Sequence, residues 1–282
     1  MTVYELINLD LPQQPKYESG IDFLDNAFMG GFELGQLVTI TGEQEAGKTM
    51  LLEQILGNIT KQHKALYFSL EFNKRQAKKV FFNRLKRKSV EEDALKNIEI
   101  VTTDMIDGNL SEIIKHTKDA IKRGVKFIGL DSTLMLFVEG MSGEQEVTEI
   151  FRQLQKVTVQ NDVLFFIITQ GSKEDNRDGK VSIFGSQKAN HFANIMLHLT
   201  FEREANKRGI IVAKNKQEGK YLNQEIFFES ETLIFSSHKS TQKNKVMIEK
   251  SRYSEEISEV KDTFSTEIAE QDEWSEDEKQ DW

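Results

Sequence analysis

The sequence predicts an α/β fold, a mostly parallel sheet with helices on both faces. Three observations carry this. From Ser19 to about Ser237, short continuous apolar runs alternate with longer amphipathic segments, and strands covered on both faces read as unbroken apolar runs. Between one such run and the helical segment after it lies Gly42-Glu43-Gln44-Glu45-Ala46-Gly47-Lys48-Thr49, a full GxxxxGK[ST] phosphate-binding loop. A chain of 282 residues is also long enough to bury the core of one large domain.

The elements follow in order. Residues 1–20 hold both prolines, Pro12 and Pro15, and read as an irregular arm, with 1–18 set apart from a core domain over 19–239. Strands are predicted at 37–41, 65–70, 97–102, 126–131, 163–169, 194–200, 209–214 and 225–235, and helices at 48–62, 73–88, 110–123 and 144–160. The last two or three strands are antiparallel candidates, because Gly219 and its polar neighbours suggest a hairpin. Beyond Ser240 apolar periodicity is lost, and 240–282 reads as a disordered acidic tail.

Charge is unevenly placed. Residues 251–282 hold twelve Asp/Glu and three Lys/Arg, which accounts for the whole net charge of −9. The body is therefore neutral, and the acidic balance does not argue against nucleic-acid binding. The absence of cysteine excludes a disulfide framework and any Cys-ligated metal, and fits a reducing compartment. No run approaches eighteen apolar residues, and the N-terminus lacks a basic region followed by an apolar one. The expectation is a cytoplasmic protein with no membrane partner.

The loop at 42–49 names a nucleoside triphosphate. Its glycines let successive N–H groups turn toward a phosphate chain. Lys48 reaches the β- and γ-phosphates, Thr49 holds Mg²⁺, and the helix predicted from residue 48, with Met50 in its first turn, directs its N-terminus at the anion. Asp131 ends the strand Phe127-Ile128-Gly129-Leu130, where a carboxylate holds the water shell of Mg²⁺. Glu71 closes the second strand. It is either the group that deprotonates the attacking water or a solvated residue starting the next helix. Gln170 follows the 163–169 strand, where an amide could sense the γ-phosphate. The long polar loop from Gly171 to Gly185 carries Lys173, Arg177 and Lys180, which either grip a nucleic-acid backbone or are simply solvated. Lys214 and Lys216 end a later strand, as a trans-acting cation pair or as ordinary surface lysines. The eight cations of Lys74–Lys88 fit a solvated helix face better than a contact.

The ordered set of motifs resembles the RecA-like core of DnaB-family (superfamily 4) replicative helicases, including the phage-type primase-helicase and the mitochondrial replicative helicase. The resemblance spans about 19–237 and runs through Ser19-Gly20-Ile21-Asp22 … Gly30-Gly31-Phe32-Glu33-Leu34-Gly35-Gln36-Leu37, the phosphate loop, Phe68-Ser69-Leu70-Glu71, Asp131, Gln170, Phe184–Asn194 and Lys214-Asn215-Lys216. It implies a RecA-like P-loop NTPase using ATP and Mg²⁺. Gly42, Glu43, Gln44, Glu45, Ala46, Gly47, Lys48, Thr49 and Met50 would bind the nucleotide, with Glu71 as catalytic base and Gln170 as sensor. It also implies action on single-stranded DNA, a homo-oligomeric ring of hexamer type, and a bacterial or phage-infected cytoplasm. Lys216 stands where the family has the trans-acting Arg, and a Lys supplies charge without a planar two-pronged contact. RadA and RecA recombination ATPases are near relatives, RadA sharing a Lys-Asn-Arg element close to residues 214–216, and a regulatory ATP-binding module that ignores DNA is a third reading. The tail holds both tryptophans, Trp274 and the terminal Trp282. It resembles acidic tails that dock on a DNA polymerase or another replication protein, the alternative being a solubilising tail.

Overall fold

The computed structural model describes residues 1–10, 13–87, 90–171, 181–217 and 221–238. Among these, β1 (Leu37–Gly42), β2 (Ala65–Ser69), β3 (Ile98–Thr102), β4 (Phe127–Asp131), β5 (Leu164–Ile168), β6 (Ile195–Glu202), β7 (Lys207–Asn215), β8 (Asn223–Glu229) and β9 (Ile234–Ser236) form one sheet. The spatial order is β3-β2-β4-β5-β1-β6-β7-β8-β9. Strands β3 through β6 in that order are parallel, and the pairs β6–β7, β7–β8 and β8–β9 are antiparallel. This is a RecA-like sheet with antiparallel C-terminal strands.

Helices α1 (Val3–Ile7), α2 (Asp22–Ala27), α3 (Lys48–Ile59), α4 (Lys74–Arg87), α5 (Glu92–Lys96), α6 (Leu110–Lys122), α7 (Gly143–Asn161) and α8 (Ala189–Phe192), with a short 3₁₀ helix at Thr133–Met135, complete the described elements. Side-chain alternation along the parallel strands divides the core in two. Val38 and Ile40 of β1 and Phe166 of β5 pack with Leu51, Leu52 and Ile55 of α3. Ile128, Phe165 and Ile167 point the other way, onto Ile113 of α6 and Phe151 and Leu154 of α7. Each such fully buried side chain contributes about 1.5–3 kcal/mol of transfer free energy. Parallel strands with both faces covered need continuous apolar runs, and β5 supplies Leu-Phe-Phe-Ile-Ile with every residue buried.

Two expectations need correction. The 1–20 arm is not irregular throughout: Val3–Ile7 is helical, because Thr2 and Glu5 form a reciprocal capping box, and Tyr17 bridges Phe32 in antiparallel fashion. The run 225–235 is two strands, broken where Leu233 N–H returns to Glu229 O at 2.7 Å. The predicted turn at Gly219 and the tail over 240–282 fall outside the described residues.

Strand β1 lies between β5 and β6, parallel to both, with β4 one strand further out. The carboxyl ends of β1, β2, β4 and β5 therefore open on one edge, the usual crevice for ligands in such a sheet.

Candidate functional site

That edge carries a cleft of about 950 Å³, lined by Gly42, Lys48, Thr49, Glu71, Asp131 and Gln170 among others. Segments far apart in the sequence meet there. The phosphate loop links β1 to α3. Gly42 has φ 144°, and a Cβ on it would lie 2.3 Å from Leu199 O; Gly47 has φ 100°, with the Phe235 ring where its Cβ would be. Both positions need glycine for conformation and for space.

Lys48 Nζ donates to Gly42 O at 3.0 Å and Glu43 O at 2.8 Å, folding back over its own loop. Burial lowers its pKa, opposed by the charges of Asp131, Glu71 and Glu43. Thr49 Oγ1 donates to Asp131 Oδ2 at 2.7 Å, and Tyr67 OH donates to the same oxygen at 3.2 Å. Asp131 is only 5% exposed. Burial pushes its carboxyl up to about 6, helped by the Glu71 and Glu53 charges and opposed by the Thr49 and Tyr67 hydrogen bonds. Burial raises the Tyr67 phenol as well. A buried carboxylate held off its ordinary ionisation beside a hydroxyl, both hard oxygen donors, is a donor set that fits Mg²⁺. Asp131 and Thr49 are the residues that would hold it.

Glu71 is exposed at the end of β2 and faces this cleft. Gln170 stands just past β5. Its carbonyl accepts from Phe184 N–H at 2.8 Å, and Gly171 bridges Ile183. The ends of the 171–183 segment are thus pinned together at the cleft wall. Lys173, Arg177 and Lys180 lie outside the described residues.

Lys214 and Lys216 are not brought to this cleft within the chain. Asn215 pairs Ile195, which pairs Val38 near the amino end of β1, whereas the phosphate loop leaves the carboxyl end. There Lys214 Nζ donates to Asn190 O, and Lys216 Nζ donates to His191 O at 3.2 Å. Burial and the neighbouring Lys216 bring Lys214 down to about 8.

Sequence reasoning missed several lining residues. Arg84 of α4 lines the cleft and pairs with buried Glu53 at 3.2 Å. Arg203 pairs with Glu45 of the phosphate loop at 3.3 Å. Arg208 lies 4.0 Å from the Phe201 ring and 4.8 Å from the Phe228 ring, and Arg208 and Phe228 both reach the cleft. No local motif marks these residues. Arg208 meets Phe201 only through β6–β7 pairing. Among the described residues no helix is long and apolar enough to cross a membrane.

Comparison with known proteins gives concordant results. Residues 17–234 match the family described as ATPase: KaiC. The DNA repair protein RadA of Aquifex aeolicus (strain VF5) is 28% identical over 202 residues, covering 70% of this chain and 41% of RadA; the chain thus spans about two fifths of that relative. Among solved structures, a DnaB-like replicative helicase described with its primase interactions superposes with TM-score 0.66 at 19% identity, covering 84% of this chain and 67% of that one. A KaiC-like protein from the hyperthermophilic archaeon Pyrococcus horikoshii OT3 superposes with TM-score 0.61 at 18% identity, covering 80% and 100%. At these identities the structural likenesses establish the fold alone.

Proposed function

The chain belongs to the KaiC ATPase family, and from that premise we propose that it is a DNA-stimulated, ring-forming ATP hydrolase that translocates on single-stranded DNA during replication. The observation that carries the reading is the convergence of Lys48, Thr49, Asp131, Glu71 and Gln170 on one cleft. Lys48 would leave its loop carbonyls for the β- and γ-phosphates of ATP. Thr49 and Asp131 would hold Mg²⁺, which when bound neutralises phosphate charge. Glu71 orients the attacking water and takes its proton. Gln170 contacts the γ-phosphate, and its backbone link to Phe184 ties that contact to the ends of the 171–183 segment. Lys173, Arg177 and Lys180 of that segment would grip the DNA backbone.

An oligomer is supported by where Lys214 and Lys216 lie. They are remote from their own chain's phosphate loop, as expected of residues that complete a neighbour's site. The hexamer and the docking of the Trp282 tail on a polymerase or other replication protein rest on the sequence resemblance, and the cytoplasmic setting rests on it together with the composition.

A second reading is favoured by the RadA match: a recombination ATPase that remodels strands without processive unwinding. Mass measurement with ATP and single-stranded DNA, comparing wild type with Lys48→Ala, tests the ring. We expect a nucleotide-dependent oligomer that Lys48→Ala fails to form; a monomer under all conditions refutes the ring. A forked substrate separates the two readings, since strand pairing without unwinding would assign the RadA-like activity.

A further inference from the structure

We infer that His198 is a positioning residue that mechanically couples the phosphate loop to the base of the segment following Gln170. It sits in β6 at 3% exposure, in register with Thr41 of β1, the residue immediately before Gly42. Its Nδ1 lies 2.9 Å from Thr41 Oγ1, and the same hydroxyl lies 3.2 Å from Leu197 O. With the hydroxyl proton given to Leu197 O, the imidazole donates from Nδ1 to Thr41. The same edge of the ring faces Gly171: a Cβ built there would come to van der Waals contact with His198, 3.6 Å from Cε1 and 3.8 Å from Nδ1. Gly171 in turn bridges Ile183, and Phe184 N–H donates to Gln170 O. One side chain thus bonds the strand that ends in the phosphate loop and lies beside the residue that follows Gln170.

The chemistry favours this role over simple core filling. A buried polar group in a strand costs free energy unless it is hydrogen-bonded, and a leucine would fill similar volume without needing Thr41. Burial, and after it the Lys48 charge, lowers the imidazole pKa, which favours the neutral ring beside the phosphate loop. A rigid ring bonded to one backbone segment and set beside the other transmits a shift of one to the other where both have alternative positions.

The inference deepens the proposed reading, resting on Gln170 and its following segment as the output of the ATP site. Its test has a readout that needs no DNA, the hydrogen exchange of the Phe184 amide with ADP against a non-hydrolysable ATP analogue. In wild type we expect the two nucleotides to change that exchange by at least about 5-fold, the lower end of ordinary coupling. His198→Leu should erase the difference while affinity for a fluorescent ATP analogue stays within about 2-fold, because the polar link is removed and the volume kept. His198→Asn, whose amide can still reach Thr41, should restore it, and Thr41→Val should erase it from the other side. A His198→Leu protein that keeps the difference, or a wild type that shows none, overturns the inference. So does Thr41→Val behaving as wild type. Should His198→Leu fail to fold, Thr41→Val and His198→Asn decide. If wild type shows the difference but single-stranded DNA does not raise its ATPase rate, the DNA reading fails while the coupling stands.

Discussion

Replacing Asp131 by Asn should stabilise the metal-free protein while destroying its use of Mg²⁺. In the fold, burial holds the Asp131 carboxyl near 6 against an ordinary value of 3.8, a gap of roughly two pH units, each worth about 1.36 kcal/mol. The unfolded chain ionises at the lower value. Between about pH 4 and pH 6 the folded state therefore holds more protons, and its stability falls as pH rises through that window. Above it, the ionised carboxylate costs the apo fold up to about 3 kcal/mol. An Asn oxygen can still accept from Thr49 and Tyr67, but its new NH₂ needs an acceptor, and leaving it without one costs about 1–3 kcal/mol. The net gain at pH 7.5 is about 1 kcal/mol, or about 2–4 °C in Tm for a domain of this size. Thermal unfolding of nucleotide-free protein in EDTA at pH 7.5 and pH 4.5 measures it. The variant should melt higher at pH 7.5 and lose that advantage at pH 4.5. A variant that melts below wild type at pH 7.5, or an offset independent of pH, refutes the reasoning.

Other consequences follow from the same geometry. Glu71→Gln should slow ATP hydrolysis by about 10²–10⁴-fold with nucleotide affinity retained, read by phosphate release and fluorescence titration. Tyr67→Phe removes one of the two hydroxyls on Asp131 Oδ2, so the Mg²⁺ concentration supporting half-maximal nucleotide binding should rise about 10-fold or more. Neutralising Lys173, Arg177 and Lys180 together should weaken single-stranded DNA binding and flatten the plot of log affinity against log salt by about 0.7 for each phosphate no longer neutralised; an unchanged slope would place the DNA-binding surface elsewhere.

What could be read from the sequence was what is local. The phosphate loop imposes its geometry through eight consecutive residues, and the placing of Glu71, Asp131 and Gln170 at one cleft was legible because each ends or follows an apolar run that reads as a buried strand. Tyr67 was hidden for the same reason. Inside the run Ala65–Leu70 it reads as core, which its ring is, stacked on Phe81 at 5.1 Å, while its hydroxyl serves Asp131. Arg208 and Phe228 were illegible because only antiparallel pairing of β6, β7 and β8 brings Phe201, Arg208 and Phe228 together. Two errors had signals in the sequence. Thr2 and Glu5 have capping-box spacing, and the polar stretch Glu229-Ser230-Glu231-Thr232 marks the turn that divides the last apolar run.

The central claim is that this ATPase does its work on DNA. Steady-state ATP hydrolysis by the full chain at low salt, with and without single-stranded DNA, tests it most directly. Stimulation of at least about 5-fold, abolished by Lys48→Ala, is the predicted result for two sites coupled at the usual strength. Hydrolysis that is active yet indifferent to DNA at every salt concentration would contradict the account and assign the chain to nucleotide-driven assembly instead.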